Sequence, residues 1–164
     1  MMIEVKIETI QVSLVSPHRI VVLKERAGER YLPIWIGACE TEALAMHLQN
    51  IRAPRPMTHD LIVTLLKQFN ARLDHVLISA LKDDTFYAQL VLDVQGQEQL
   101  VDLRPSDAMA IAVRVEAPLF VDESVLDQAG VLPEPSLLEE HGAEELDVFR
   151  DFLNRLDLDN LPTD

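Results

Sequence analysis

The stretch Val101-Asp102-Leu103-Arg104-Pro105-Ser106-Asp107-Ala108-Met109-Ala110-Ile111-Ala112-Val113-Arg114 reads as a short strand running directly into a helix. Val101 and Leu103 alternate with polar residues, as a half-buried strand requires. Pro105, Ser106 and Asp107 then supply a proline stop, a capping hydroxyl and a carboxylate for the first helical turn. In an extended segment Asp102 and Arg104 project from one face, and the free N–H groups of the helix start lie just beyond them. Such a mouth is suited to holding an anion.

A second stretch repeats the grammar. Arg55-Pro56-Met57-Thr58-His59-Asp60 leads into Leu61-Ile62-Val63-Thr64-Leu65-Leu66, with Thr58 as the expected cap and Asp60 in the first turn. The chain therefore has two Arg-Pro-led helix starts, each with a hydroxyl and an aspartate. Ordinary capping recruits the same residue types, and it stands as the competing explanation.

Working outward, residues 3–14 alternate in two phases: Ile3, Val5 and Ile7, then Ile10, Val12 and Leu14. A change of phase at Glu8-Thr9 is what a β-bulge produces. Turns at Pro17-His18 and Ala27-Gly28 separate two further strands, 19–24 and 31–36, giving a three-stranded antiparallel meander. Pro33 lacks an N–H and places its strand at an edge or a bulge. A helix follows from Gly37 to about Asn50, with Ala43, Leu44, Leu48 and Ile51 on one apolar face and His47 at a surface or interface. The next helix, from Thr58 to about Phe69, carries a broad stripe of Leu61, Ile62, Leu65, Leu66 and Phe69.

Strands over 73–81, 86–94 and 99–103, joined at Lys82-Asp83-Asp84-Thr85 and Gln95-Gly96-Gln97, form a second meander that feeds the opening stretch. A short strand at 118–121 and a short helix over 123–129, ending at Gly130, close this part. The fold class is α+β: two antiparallel β-meanders with helices packed against them. Beyond Pro133-Glu134-Pro135 the composition shifts. Leu146, Phe149, Leu153 and Leu156 put an apolar stripe on an acidic C-terminal helix at 143–157, which should dock on the body or on a second subunit. The expected organisation is a domain over 1–133 and an acidic helical extension over 134–164.

The composition narrows the function classes. Of the net charge of −14, residues 1–120 carry −3 and residues 121–164 carry −11. An acidic end of this kind opposes tight, sequence-independent duplex binding through a basic face. No apolar run approaches the roughly 18 residues of a membrane span, and the start of the chain lacks the pattern of a signal peptide, so a cytoplasmic protein with no membrane partner is expected. The single Cys39 rules out an internal disulfide and is expected as a small packed side chain. Exposed apolar strand edges make a homodimer the expected assembly.

Four separated motifs then occur in order: Tyr31-Leu32-Pro33-Ile34-Trp35-Ile36-Gly37 with Glu40; Arg55-Pro56 with Thr58-His59-Asp60; Asp84-Thr85-Phe86-Tyr87-Ala88; and Asp102-Leu103-Arg104-Pro105-Ser106-Asp107-Ala108. Over residues 2–133 this pattern resembles the bifunctional nuclease domain. The resemblance implies an α+β domain, commonly self-associating, with DNase and RNase activity in some members. The sequence departs from it where Asp83-Asp84 replaces an Asp-Gly turn and where Asn50 or Ile51 stands in place of a helix-ending glycine.

Phosphodiester hydrolysis needs a metal-held or base-activated water and positive charge on the transition state. His59, Asp60 and Asp107 are the candidate catalytic residues. Arg55, Arg104, Thr58 and Ser106 are candidates for phosphate binding, and Glu40, Asp60, Asp102 and Asp107 are candidate oxygen ligands for a divalent metal, Mg²⁺ or Mn²⁺. Nucleic acid is the expected transient substrate. The alternatives are a non-catalytic oligomeric interaction module and an anion-binding regulatory module, in which these residues serve as helix-start groups and ion-pair partners.

Overall fold

The computed structural model describes residues 1–13, 15–133 and 161–164. The seven strands are β1 (Met2–Val12), β2 (Arg19–Glu25), β3 (Tyr31–Trp35), β4 (Ala71–Lys82), β5 (Thr85–Val94), β6 (Gln97–Leu103) and β7 (Leu119–Asp122). The helices are α1 (Ala38–Leu48), α2 (Thr58–Gln68), α3 (Pro105–Val115) and α4 (Glu123–Ala129). Both meanders form as the alternation requires, and the expected phase change in β1 is a register shift between Ile7 and Thr9 opposite β2. The expected acidic helix at 143–157 lies outside the described residues.

The two meanders are halves of one sheet, in the order β3-β2-β1-β7-β4-β5-β6. The join is β7, which runs antiparallel to β1, with Val5 opposite Leu119, and parallel to β4, with Ile78 opposite Val121. Four residues thus connect elements that lie some seventy positions apart in the chain. Pro33 sits in β3, an edge strand, where its missing N–H costs no ladder bond. That edge is covered at both ends: Tyr31 and Val131 exchange backbone hydrogen bonds, and Trp35 pairs with the segment 161–164.

One helix decides where the core lies. Ala108, Met109, Ala110, Ile111 and Ala112 of α3 are all at most 1% exposed. The small alanines bring the α3 backbone close to its neighbours, and it packs against α1, α2, β4 and β5. The same cluster takes Val21, Leu23, Leu32, Ile34, Ile78, Phe86 and Leu90 from the sheet. The α2 stripe is wider than the face it buries. Val63 is buried and Ile62 and Leu66 pack on the core, whereas Leu61, Leu65 and Phe69 are exposed. Leu48 and Ile51 are likewise exposed, because α1 runs past the edge of the core after Leu44.

Candidate active site

Each of the first three helices has an acid at its third position: Glu40 in α1, Asp60 in α2 and Asp107 in α3, counted from the N-caps Gly37, Met57 and Arg104. A carboxylate there lies beside the unpaired N–H groups of the first turn and is favoured by the helix dipole. The expected caps do not act as caps. Thr58 and Ser106 lie inside their helices, and no side chain caps either start in the usual way. In α2 the reciprocal half of a capping box serves instead, with the Met57 N–H donating to Asp60 Oδ2 at 2.8 Å.

The starts of α1, α2 and α3 meet. His59 Nε2 lies 2.9 Å from Asp107 Oδ1, Arg104 Nε donates to Asp107 Oδ2 at 2.8 Å, and Arg104 Nη2 donates to Glu40 Oε1 at 2.6 Å. The chain His59, Asp107, Arg104, Glu40 therefore links three helices through charge-assisted bonds. Its strongest electrostatic mark is on Arg104: the hydrogen bond it donates to Glu40 and then that to Asp107 outweigh burial and push the guanidinium above its ordinary value. Gly37 makes room for this, because a Cβ at that position would collide with the Glu40 carboxylate.

These groups line a recess of about 500 Å³ whose floor is apolar, formed by Ile62, Leu90, Val101, Leu103 and Ile111. His59 is only 7% exposed, whereas Arg104 is half exposed and so reachable from solvent. Among the described residues neither His59 Nδ1 nor Arg104 Nη1 makes a hydrogen bond, which leaves one ring nitrogen and one donor pair for a ligand. Cys39, expected as a packed side chain, is exposed at the lip, because it precedes Glu40 in the first turn of α1.

The other candidates are placed elsewhere. Asp60 turns to the opposite side of α2, where Arg114 Nε donates to its Oδ1 at 2.6 Å. Burial raises its carboxyl pKa, but the Arg114 hydrogen bond, the Met57 N–H and the nearby Arg114 and His47 charges outweigh burial and hold it below the ordinary value. Asp60 and Arg114 line a second cavity of about 420 Å³ together with His47, Arg52, Arg55 and Met57. Arg52 and Arg55 are exposed there and have no ion-pair partner among the described residues. Asp102 sits on β6 opposite Gln89, exposed, while its neighbours Val101 and Leu103 face the recess. Arg104 keeps an extended backbone at the end of the strand and lines the recess, whereas Asp102 does not line it. As arranged, the four expected metal ligands do not converge on one ion. The Arg104 guanidinium fills the place between Glu40 and Asp107, and the described residues contain no cluster of three His, Cys, Asp or Glu set to hold a metal.

One contributor had no signal in the sequence. Asp164 Oδ2 accepts the Ser106 N–H at 3.1 Å, at the mouth of α3. Burial pushes its carboxyl pKa up, partly offset by hydrogen bonding to Ser106 and by the Arg104 charge.

The model of the bifunctional nuclease domain matches residues 21–134, a span that includes Glu40, His59, Arg104 and Asp107 and ends before 161–164. An uncharacterized protein of Mycobacterium tuberculosis is 41% identical over 161 residues, 96% of each chain. Bifunctional nuclease 1 of Oryza sativa subsp. indica is 32% identical over 128 residues, 74% of this chain and 39% of that one. Bifunctional nuclease 2 of Arabidopsis thaliana is 28% identical over 112 residues, 66% of this chain and 34% of that one.

Proposed function

The chain belongs to the bifunctional nuclease domain family, and from that membership and the recess geometry we propose that it hydrolyses phosphodiester bonds of RNA, DNA or both where α1, α2 and α3 meet. The observation that carries this reading is the His59, Asp107, Arg104, Glu40 chain at the recess. In the tautomer where Nε2 donates to Asp107, the Nδ1 lone pair faces away from the carboxylate and is available to take a proton. On RNA that proton is the one on the ribose 2′-hydroxyl, whose oxygen then attacks the adjacent phosphorus and expels the 5′-oxygen. On DNA the proton comes from a water. Asp107 stabilises the imidazolium that results, and the imidazolium returns the proton to the departing oxygen.

Arg104 supplies the positive charge. Its Nη1 donors can reach a non-bridging phosphate oxygen while Nε and Nη2 remain fixed by Asp107 and Glu40, so little reorganisation is needed as charge builds up. Arg55 and Arg52 on the far side of α2 are suited to neighbouring phosphates of the same strand. Asp60 holds α2 to α3 and takes no part in the proton transfers.

The test is cleavage of single-stranded RNA and of plasmid DNA by the purified protein, beside folded His59→Asn and Asp107→Asn variants. Each assay is run with Mg²⁺, Mn²⁺ or EDTA, so that dependence on a divalent ion is read in the same experiment. Removing a general base should lower the rate by about 10²–10⁴-fold. Alkylation of Cys39 at the lip should also slow when oligonucleotide is bound, which reads occupancy of the recess without turnover. Equal cleavage by wild type and both variants would assign the activity to a contaminant. Oligonucleotide protection of Cys39 without cleavage would favour the anion-binding module.

A further inference from the structure

Residues 161–164 are built into the sheet. Trp35 N–H donates to the Pro162 carbonyl at 3.3 Å, Asp164 N–H to the Trp35 carbonyl at 3.2 Å, Thr163 N–H to the Asp84 carbonyl at 3.0 Å and Phe86 N–H to the Thr163 carbonyl at 2.9 Å. Thr163 thus bridges Trp35 on one side and Thr85 on the other. The segment lies between the end of β3 and the start of β5 with both of its backbone edges satisfied.

This slot delivers one carboxylate to one place. Pro105, first in α3, has no N–H, so Ser106 offers the outermost free amide of that helix, and Asp164 occupies it. The Ser106 hydroxyl is fully buried, forms no well-aligned hydrogen bond of its own, and faces the same carboxylate. Arg104 and Glu40 of the recess are close enough to act on Asp164 electrostatically. With Asp164 in place, the Arg104 guanidinium bonds two carboxylates, Glu40 and Asp107, and feels the charge of a third, Asp164. A phosphodiester would be repelled there, and the amide it needs would already be taken.

We infer that residues 161–164 are a built-in competitor for the recess, with the Asp164 carboxylate standing where a phosphate oxygen of the substrate binds. The inference rests on the nuclease reading for its consequence, the inhibition of cleavage, but not for the site itself. A covalently tethered segment acts at an effective concentration of order millimolar, enough to set the threshold for a weak substrate and to yield to a long one that also engages Arg52 and Arg55. The slot accepts an extended peptide with an anionic side chain one residue after the bridging position.

The test compares wild type with Asp164→Ala, which removes the competing side chain, and Thr163→Pro, which removes the N–H given to Asp84. Titration of inorganic phosphate, followed at the Ser106 amide by NMR, should show at least fivefold tighter binding in both variants. Exchange of the Trp35 and Phe86 amides should quicken in Thr163→Pro, which verifies that the segment has left its slot. On RNA the variants should show about a fivefold lower KM with kcat unchanged. The peptide Leu-Pro-Thr-Asp should raise the KM of Thr163→Pro again. Tighter phosphate binding without cleavage by any of the three proteins would refute the nuclease reading and leave the self-occupied anion position standing. Unchanged or weaker phosphate binding in both variants would overturn the inference, since Asp164 would then be a support of the mouth.

Discussion

Asp60 and Asp107 hold the same position in successive helices and use it for different ends. Asp107 shares its oxygens between His59 and Arg104 at an open recess, whereas both Asp60 oxygens are committed to Met57 and Arg114. Arg114 is only 6% exposed, so Asp60→Ala strands a buried cation. Discounted for the partial exposure of Asp60, the cost should be about 2–3 kcal/mol in urea unfolding, with cleavage per folded molecule retained. Asp107→Asn should do the reverse, losing cleavage with a smaller change in stability. Because the Asp60 pKa is depressed in the folded protein, its contribution is present above the ordinary carboxylate pKa of about 3.9 and is lost as pH falls through that value towards the folded one. An Asp60→Asn protein should therefore show a flatter loss of stability than wild type between about pH 5 and pH 3, measured by urea midpoints. The sequence displays the acids, hydroxyls and arginines of the helix starts. It does not display which way each points, because adjacent helical residues diverge by about 100° and only packing decides which side meets a neighbour. Hence His59 and Asp107 converge while Asp60, next to His59, faces away. Asp164 could not be read at all, because its partner Ser106 is far away in sequence and no motif marks the pairing.

At the level of elements, local chemistry made most of the structure legible. The double phase of β1, the edge placement of Pro33 and both hairpins of the second meander follow from side-chain period and turn residues. What local pattern could not supply was the joining of the two meanders, since β7 is short and its pairings with β1 and β4 are both long-range. The α2 stripe misled for a related reason: periodicity counts apolar residues, but only the surfaces of α3 and β4 determine how many are covered. The β4–β5 turn carries a small, correctable strain. Asp83 and Asp84 both have positive φ, 49° and 56°, the geometry of a tight hairpin in which glycine is favoured. Asp84→Gly keeps the carbonyl that Thr163 uses and relieves both the backbone strain and the repulsion between neighbouring acids. It should stabilise the protein by about 0.5–1 kcal/mol, seen as a rise of a few degrees in Tm.

For the whole molecule, charge determines how nucleic acid can be held. With a net charge of −14, only a few cations, Arg104 in the recess and Arg52 and Arg55 across α2, are placed to meet phosphates. Binding of a single strand should therefore fall with salt at a slope near −2 on a log–log plot, as expected for about three phosphate contacts. Fluorescence anisotropy over a KCl series measures this, and a slope steeper than about −5 would show a basic surface that these three arginines do not account for. The position of β7 also has a consequence during synthesis. The first meander can form as soon as its own strands exist, but the outer edge of β1 has no partner until residues 119–122 leave the ribosome. At about 5–20 residues per second that edge stays open for roughly 5–20 s, long enough for a neighbouring nascent chain to add its own strand there. Crowded translation of this protein therefore carries an aggregation risk that the finished fold conceals, and yield should depend on how quickly the late strand arrives.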